Sequence, residues 1–217
     1  MSSLRQIYYD LFSKIYDPII RLHSKDQEGL LRTFIAEKAC LSEGNVALDL
    51  CTGTGSVAIE LANRVSRTGL VIGLDFSEGM LQKAKRKAFQ LGANQLHFVQ
   101  ANASHLPFKS FSVHGVTCSH AFYELKGIER REAIAEVARI LVQGGSFCLM
   151  EHAKPEKFFQ RLFFYIRILF LGSRDVQDFL TQGEAILGEK FGCVTTLTSP
   201  TGRSKLISGE RLSIENP

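Results

Sequence analysis

The chain has no stripe of basic residues, no C-x-x-C pair, no low-complexity tract and no internal repeat. Each absence closes off a class of function. Lys and Arg number 26 against 22 Asp and Glu, for a net charge of +4, and the cations are interspersed with acids, so no nucleic-acid partner is indicated. The five cysteines, Cys40, Cys51, Cys118, Cys148 and Cys193, are odd in number, widely spaced and partly set in apolar runs. They read as reduced thiols of a cytoplasmic protein, not as a disulfide frame or a zinc site, and no metal is expected. The opening stretch, MSSLRQIYYDLFSKIYD, carries charge throughout and lacks the apolar core of a secretory signal. What is present suits one globular domain of 217 residues, 45% hydrophobic, with a mean hydropathy of +0.01.

Short apolar runs at Val46 to Leu50, Leu70 to Leu74, Leu96 to Val99, Val113 to Cys118 and Ser146 to Met150 have strand length and alternate with stretches of helical period. That rhythm predicts an α/β fold with a parallel sheet. Ser77 is placed to cap a helix through EGMLQKAKRKAFQL that Gly92 closes, and IERREAIAEVARILV is closed by Gly144 and Gly145. Beyond the fifth strand two helical stretches lead to CVTTL and SKLIS, which the turn-rich TSPTGR joins into an antiparallel hairpin.

The stretch ALDLCTGTGSVAIELA sets an acid, a cysteine and two glycines between the first strand and a helix. In an open parallel sheet ligands settle beyond the carboxyl ends of the strands, and Gly53 and Gly55 leave the backbone bare there. Gly53 to Ala58 also fits the dinucleotide pattern G-x-G-x-x-G/A, and a tight turn with no ligand is the plain alternative. Asp75, 20 residues after Gly55 at the end of the second strand, can accept both hydroxyl hydrogens of a ribose. Asp49 at the mouth of the loop disfavours a pyrophosphate and suits a cationic amino group or sulfonium. S-adenosylmethionine fits that requirement better than NAD.

LDLCTGTG, Asp75, ANASHLPF and ARILVQGG occur in the order and approximate spacing of class I S-adenosylmethionine-dependent methyltransferases. The chain resembles especially the group that contains the ubiquinone and menaquinone biosynthesis C-methyltransferases (methyltransferase type 11), over about Tyr8 to Met150. The resemblance implies a Rossmann-like, doubly wound, mostly parallel seven-stranded sheet with a C-terminal antiparallel hairpin and helices on both faces. It implies one domain divided into N-terminal lid helices (1–40), a cofactor-binding core (41–151), a helical acceptor-site insert (152–190) and the hairpin (191–217). It places Asp49, Cys51, Gly53, Thr54 and Gly55 around the methionine part of S-adenosyl-L-methionine, Asp75 on the ribose, and Phe76 and Met80 beside the adenine. Asn102 and Ala103 then lie at the adenine edge, Ser119 closes the site, and Tyr16 and Asp17 approach from the lid. Three residues depart from the family pattern: Cys51 stands for a glycine, Asn102 for an Asp, and Gln143 for the proline of a turn.

Methyl transfer from a sulfonium is an in-line displacement in which alignment and exclusion of water supply much of the rate, so a base is optional. Where a proton must leave the acceptor, the candidate catalytic residues are His120, Tyr123 and His152, with Glu124 and Glu151 beside them. Their plain alternative is a structural wall around the pocket. EKFFQRLFFYIRILFLGS is apolar on more than one helical face yet too short and too charged to span a bilayer. A hydrophobic acceptor pocket is favoured for it over a homodimer contact or peripheral contact with a membrane surface. The leading expectation is a methyltransferase for a small hydrophobic acceptor, quinone-precursor-like or lipid-like. An NAD(P)-dependent oxidoreductase and a non-catalytic S-adenosylmethionine-binding or interaction protein are the alternatives.

Overall fold

A computed structural model describes residues 29–125, 127–153 and 183–212. Tyr16, Asp17, the expected lid helices and the aromatic stretch 156–173 lie outside the described residues. The elements run α1 (Leu30–Lys38), β1 (Val46–Leu50), α2 (Ser56–Val65), β2 (Leu70–Asp75), α3 (Glu78–Gln90), β3 (Leu96–Gln100) and β4 (Val113–Ser119). A 3-10 turn (Phe122–Glu124), α4 (Gly127–Ile140), β5 (Leu141–His152), β6 (Phe191–Thr198) and β7 (Ser204–Arg211) follow. The strands form one seven-stranded sheet in the order β3-β2-β1-β4-β5-β7-β6. Strands β1 to β5 pair in parallel and β7 pairs antiparallel with both β5 and β6.

Side chains alternate between two apolar layers with the two-residue period of a strand. Leu48 and Leu50 of β1, with Phe147 and Leu149 of β5, face α4 residues Ala133, Ile134 and Val137. Ala47, Cys148 and Met150 face the opposite way, toward Ile35 of α1 and Ala58 and Leu61 of α2. Burial on both faces explains why these strands read as continuous apolar runs. Each fully buried Leu or Phe contributes about 1.5 to 3 kcal/mol to holding helices on the sheet.

The start of α3 follows its sequence signal: the Ser77 hydroxyl accepts the Met80 N–H at 3.2 Å. One boundary differs. The helical period continues through Val142, yet α4 stops at Ile140 and β5 begins at Leu141, which pairs with Val113 of β4. Leu141 is fully buried in that ladder, and the register shift after Val113 takes up Gln143 to Gly145, with Gly144 at φ 71°. Tertiary pairing overrides helical period over these few residues.

Strand order reverses between β1 and β4, so the crevice at their carboxyl ends is where the topology opens a ligand site.

Candidate cofactor and acceptor site

Past β1 the chain turns at Cys51, whose φ of 56° is left-handed, and runs through Gly53 (φ 55°) to Gly55 (φ 77°), the N-cap of α2. The two glycines do different work. A Cβ built on Gly53 meets nothing within 4 Å, so the backbone there borders open space. A Cβ on Gly55 would lie 2.9 Å from the Ala84 Cβ and 3.3 Å from the Phe98 ring, so Gly55 lets the loop settle onto α3 and β3. Gly73 of β2 does the same for Phe98, whose ring would be 2.7 Å from an added Cβ.

Asp49 is 2% exposed. Its Oδ2 accepts the Thr52 hydroxyl at 2.6 Å and its Oδ1 accepts the Thr117 hydroxyl at 2.8 Å. The Ala58 N–H, in the first turn of α2, also bonds the carboxylate. Gly55 supplies no side-chain cap and α2 has no acid in its first turn, so Asp49 caps the helix from the preceding strand. A helix N-terminus that would cradle a pyrophosphate is thus already filled by the protein's own anion. Burial raises the Asp49 pKa to about 6 against the three bonds that lower it, with Asp75 adding to the rise. Near neutral pH the carboxylate is charged.

Asp75 ends β2, where its Oδ2 accepts the Gly53 N–H at 2.8 Å and its Oδ1 accepts the Ser77 N–H at 2.9 Å. Burial raises its pKa too, opposed by those backbone bonds. An ionised carboxylate has about four lone-pair sites, and with the Phe76 N–H also bonded one of them is left for a hydroxyl hydrogen. Phe76 is half-buried and Met80 buried at the start of α3.

Two expected contributors are placed differently from their expected roles. Asn102 was expected to offer its amide oxygen to an adenine, but that Oδ1 accepts both the Ser104 N–H at 3.1 Å and the Ser104 hydroxyl at 3.0 Å. Its lone pairs are used in a turn, and the neighbouring Ala103 is buried. Thr54 is 2% exposed, and its hydroxyl accepts Lys87 Nζ at 2.9 Å, tying the loop to α3.

At the ends of β4 and β5 the structure brings His120, Tyr123 and His152 together. The His120 and His152 ring centroids are 4.7 Å apart, and those of Tyr123 and His152 5.9 Å. His120, at φ 54°, has Nδ1 3.0 Å from the Ser119 hydroxyl and Nε2 2.8 Å from the Ser204 hydroxyl of β7. Both ring nitrogens are held, which fixes the imidazole's orientation.

Glu151, one residue before His152, is fully buried. Its Oε1 accepts the Tyr123 N–H at 3.2 Å, while Oε2 has no hydrogen-bond partner among the described residues. Burial pushes its pKa up to about 8, and Glu124 raises it further. The carboxyl is neutral at pH 7. Sequence reasoning missed Thr117 and Ser204; the signal for Thr117 was a hydroxyl flanked by Val116 and Cys118 inside a strand-length apolar run, where a polar side chain needs a partner.

A doubly wound sheet with a reversed hairpin, and an acid-capped glycine loop at its switch point, define a Rossmann-like methyltransferase fold. It superposes on a SAM-dependent methyltransferase from Aquifex aeolicus with a TM-score of 0.70 over 94% of this chain and 98% of that one, at 18% identity. A profile of the ubiE/COQ5 methyltransferase family matches residues 3–173. The chain belongs to that family, and it is an S-adenosylmethionine-dependent methyltransferase. It is similar to a demethylmenaquinone methyltransferase of Oceanobacillus iheyensis, 31% identical over 168 residues that cover 77% of this chain and 69% of the relative. A demethylmenaquinone methyltransferase of Symbiobacterium thermophilum is 34% identical over 166 residues, 74% of this chain and 65% of that protein. A 2-phytyl-1,4-naphtoquinone methyltransferase of Nostoc punctiforme is 29% identical over 168 residues, 75% of this chain and 72% of that one.

Proposed function

We propose that the chain transfers a methyl group to a small hydrophobic acceptor of the prenylated naphthoquinol type, with the cofactor on the Cys51–Gly55 loop and the acceptor beside the His120, Tyr123 and His152 rings. The observation that carries the cofactor's place is the bridge from Asp75 to Gly53 next to open space. The acid that would hold the ribose also fixes the glycine over which the methionine part would lie. The acceptor class follows from the relatives, which are named for demethylmenaquinone and a phytyl naphthoquinone. A cytoplasmic location fits this chemistry, and no helix among the described residues is long and apolar enough to cross a membrane.

When bound, the cofactor supplies an electrophilic methyl on a cationic sulfur. Asp49, charged and buried behind the loop, favours that cation without touching it, because its oxygens are already engaged. Asp75 orients the sugar and thereby the sulfur. The half-buried rings of His120 and His152 and the buried Tyr123 narrow the space for water and offer flat surfaces to an aromatic acceptor. His120, Tyr123 and His152 are the groups placed to take an acceptor proton where one must leave.

Turnover of methyl-labelled S-adenosylmethionine with a short-chain prenyl naphthoquinol tests the acceptor. Label recovered in the quinol supports it; labelling of a catechol or a free fatty acid instead would displace it. Calorimetric titration with S-adenosylhomocysteine and with NADH tests the loop, and heat from NADH alone would refute the cofactor placement.

A further inference from the structure

Cys118 is the penultimate residue of β4 and is fully buried, while Cys51 is the first residue beyond β1 and half-buried. The β1–β4 ladder pairs Leu50 with Cys118, so Cys51 sits one step diagonally ahead of it. Parallel neighbours lie about 4.8 Å apart and climb about 3.3 Å per residue, which puts the two Cα atoms about 6 Å apart. That lies inside the span of a disulfide. The Cys51 side chain packs against the core cluster that contains Cys118, and the two thiols are hydrogen-bonded.

We propose that Cys51 and Cys118 form a modification site: a hydroperoxide oxidises Cys51, and Cys118 then closes a disulfide beneath the glycine loop. In the first step the Cys51 sulfur attacks the peroxide; an S–O bond forms, the O–O bond breaks, and the alcohol leaves with the thiol proton. In the second the Cys118 sulfur attacks the Cys51 sulfur; the S–S bond forms, the S–O bond breaks, and water carries off the Cys118 proton. Two electrons pass from the thiols to the peroxide, and no further reactant is needed. Exposure sets the order, since only Cys51 meets solvent. Burial keeps the Cys118 thiol protonated until the sulfenic acid forms beside it.

The bond would draw the Cys51 Cβ toward β4. Cys51 holds the first left-handed turn of the loop, and the next two residues carry its anchors, the Thr52 hydroxyl on Asp49 and the Gly53 N–H on Asp75. Shifting them weakens the cradle; this consequence, unlike the bond itself, rests on the cofactor placement proposed above.

A second thiol pair provides an internal comparison. Cys40 and Cys148 both donate to the Lys38 carbonyl, at 3.5 and 3.1 Å. The full chain is treated with hydrogen peroxide, free thiols are alkylated, and peptides are mapped by mass spectrometry. The expected product is a Cys51–Cys118 cross-linked peptide, with S-adenosylhomocysteine affinity lowered about tenfold and both changes reversed by dithiothreitol. Cys118→Ala, or Cys118→Ser should the alanine variant fold poorly, should leave Cys51 as a sulfenic acid trapped by dimedone. A cross-link confined to Cys40 and Cys148, or Cys51 driven to sulfonic acid without a cross-link, overturns the proposal. A Cys51–Cys118 cross-link with unaltered affinity upholds the site and overturns the placement of the cofactor on this loop.

Discussion

The backbone N–H of Gly53 donates to Asp75 Oδ2 at 2.8 Å, joining the glycine loop to the end of the neighbouring strand across 22 residues of sequence. One carboxylate therefore shapes the loop and keeps a lone pair for the proposed ribose hydroxyl. Asp75→Ala removes both functions, and we expect S-adenosylhomocysteine binding to weaken by about 1 to 3 kcal/mol. Calorimetry gives the number directly; an unchanged dissociation constant would remove Asp75 from the site.

Asp49 offers a separate test, because in the proposed placement its field would act on the sulfonium while its oxygens stay bound to Thr52, Thr117 and Ala58. S-adenosylmethionine carries the positive sulfur and S-adenosylhomocysteine does not. Asp49→Asn keeps the shape and deletes the charge, so it should weaken the methyl donor more than the demethylated product, by about 1 kcal/mol in the difference. Equal losses for both ligands would show that Asp49 only braces the loop. The same logic predicts that the wild-type preference for the donor fades as pH falls through about 6, where Asp49 takes up its proton.

Gly53 and Gly55 share a left-handed backbone but not an environment. Alanine at either costs about 1 to 2 kcal/mol in left-handed strain. Gly55→Ala adds a collision with Ala84 and Phe98 and should lower the melting temperature well beyond Gly53→Ala. Gly53→Ala, whose methyl projects into open space, should keep most of the stability and lose cofactor affinity instead. Thermal unfolding and calorimetry on the two variants give opposite rankings if the crevice lies over Gly53.

Much of this was legible in the residues. Asp49, Gly53, Gly55 and Asp75 stand out because their types are costly inside a strand-to-helix junction unless they serve it, and the strand-helix rhythm alone placed them on one edge of the sheet. The cluster of His120, Tyr123 and His152 was legible only as a set of residues just past strand ends, and the Ser204 contact on His120 comes from a strand 84 residues away. Single positions are harder to read where a short polar side chain can bond locally. Asn102 looked like an adenine contact, but its oxygen is spent two residues on at Ser104, a choice that short polar side chains often make in turns. Gly55 was expected to leave the backbone bare for a ligand, and its missing side chain also makes room for Ala84 and Phe98.

Glu151 makes stability depend on pH in a direction opposite to that of a salt-bridged acid. Its pKa rises from 4.5 to about 8 in the folded protein, so the native state holds its proton where the unfolded chain has released it. Stability contributed by the neutral carboxyl is complete below pH 4.5, declines as pH rises toward about 8, and is lost beyond it. The groups around it are Glu124, which disfavours ionisation, Arg130, which favours it, and the Cys118 thiol and Tyr123 N–H. Glu151→Gln preserves the shape and an oxygen for the Tyr123 N–H but cannot ionise in either state. Denaturant unfolding of the two proteins should therefore nearly coincide at pH 5 and separate at pH 8.5, with the variant more stable by an amount on the order of 3 kcal/mol. Because Oε1 fastens the turn that carries Tyr123, methyl transfer by the wild type should also fall on the alkaline side of about pH 8, and the glutamine variant should lose that limb while keeping its neutral-pH rate. An identical alkaline limb in both proteins would assign it to another group and leave Glu151 a purely structural acid.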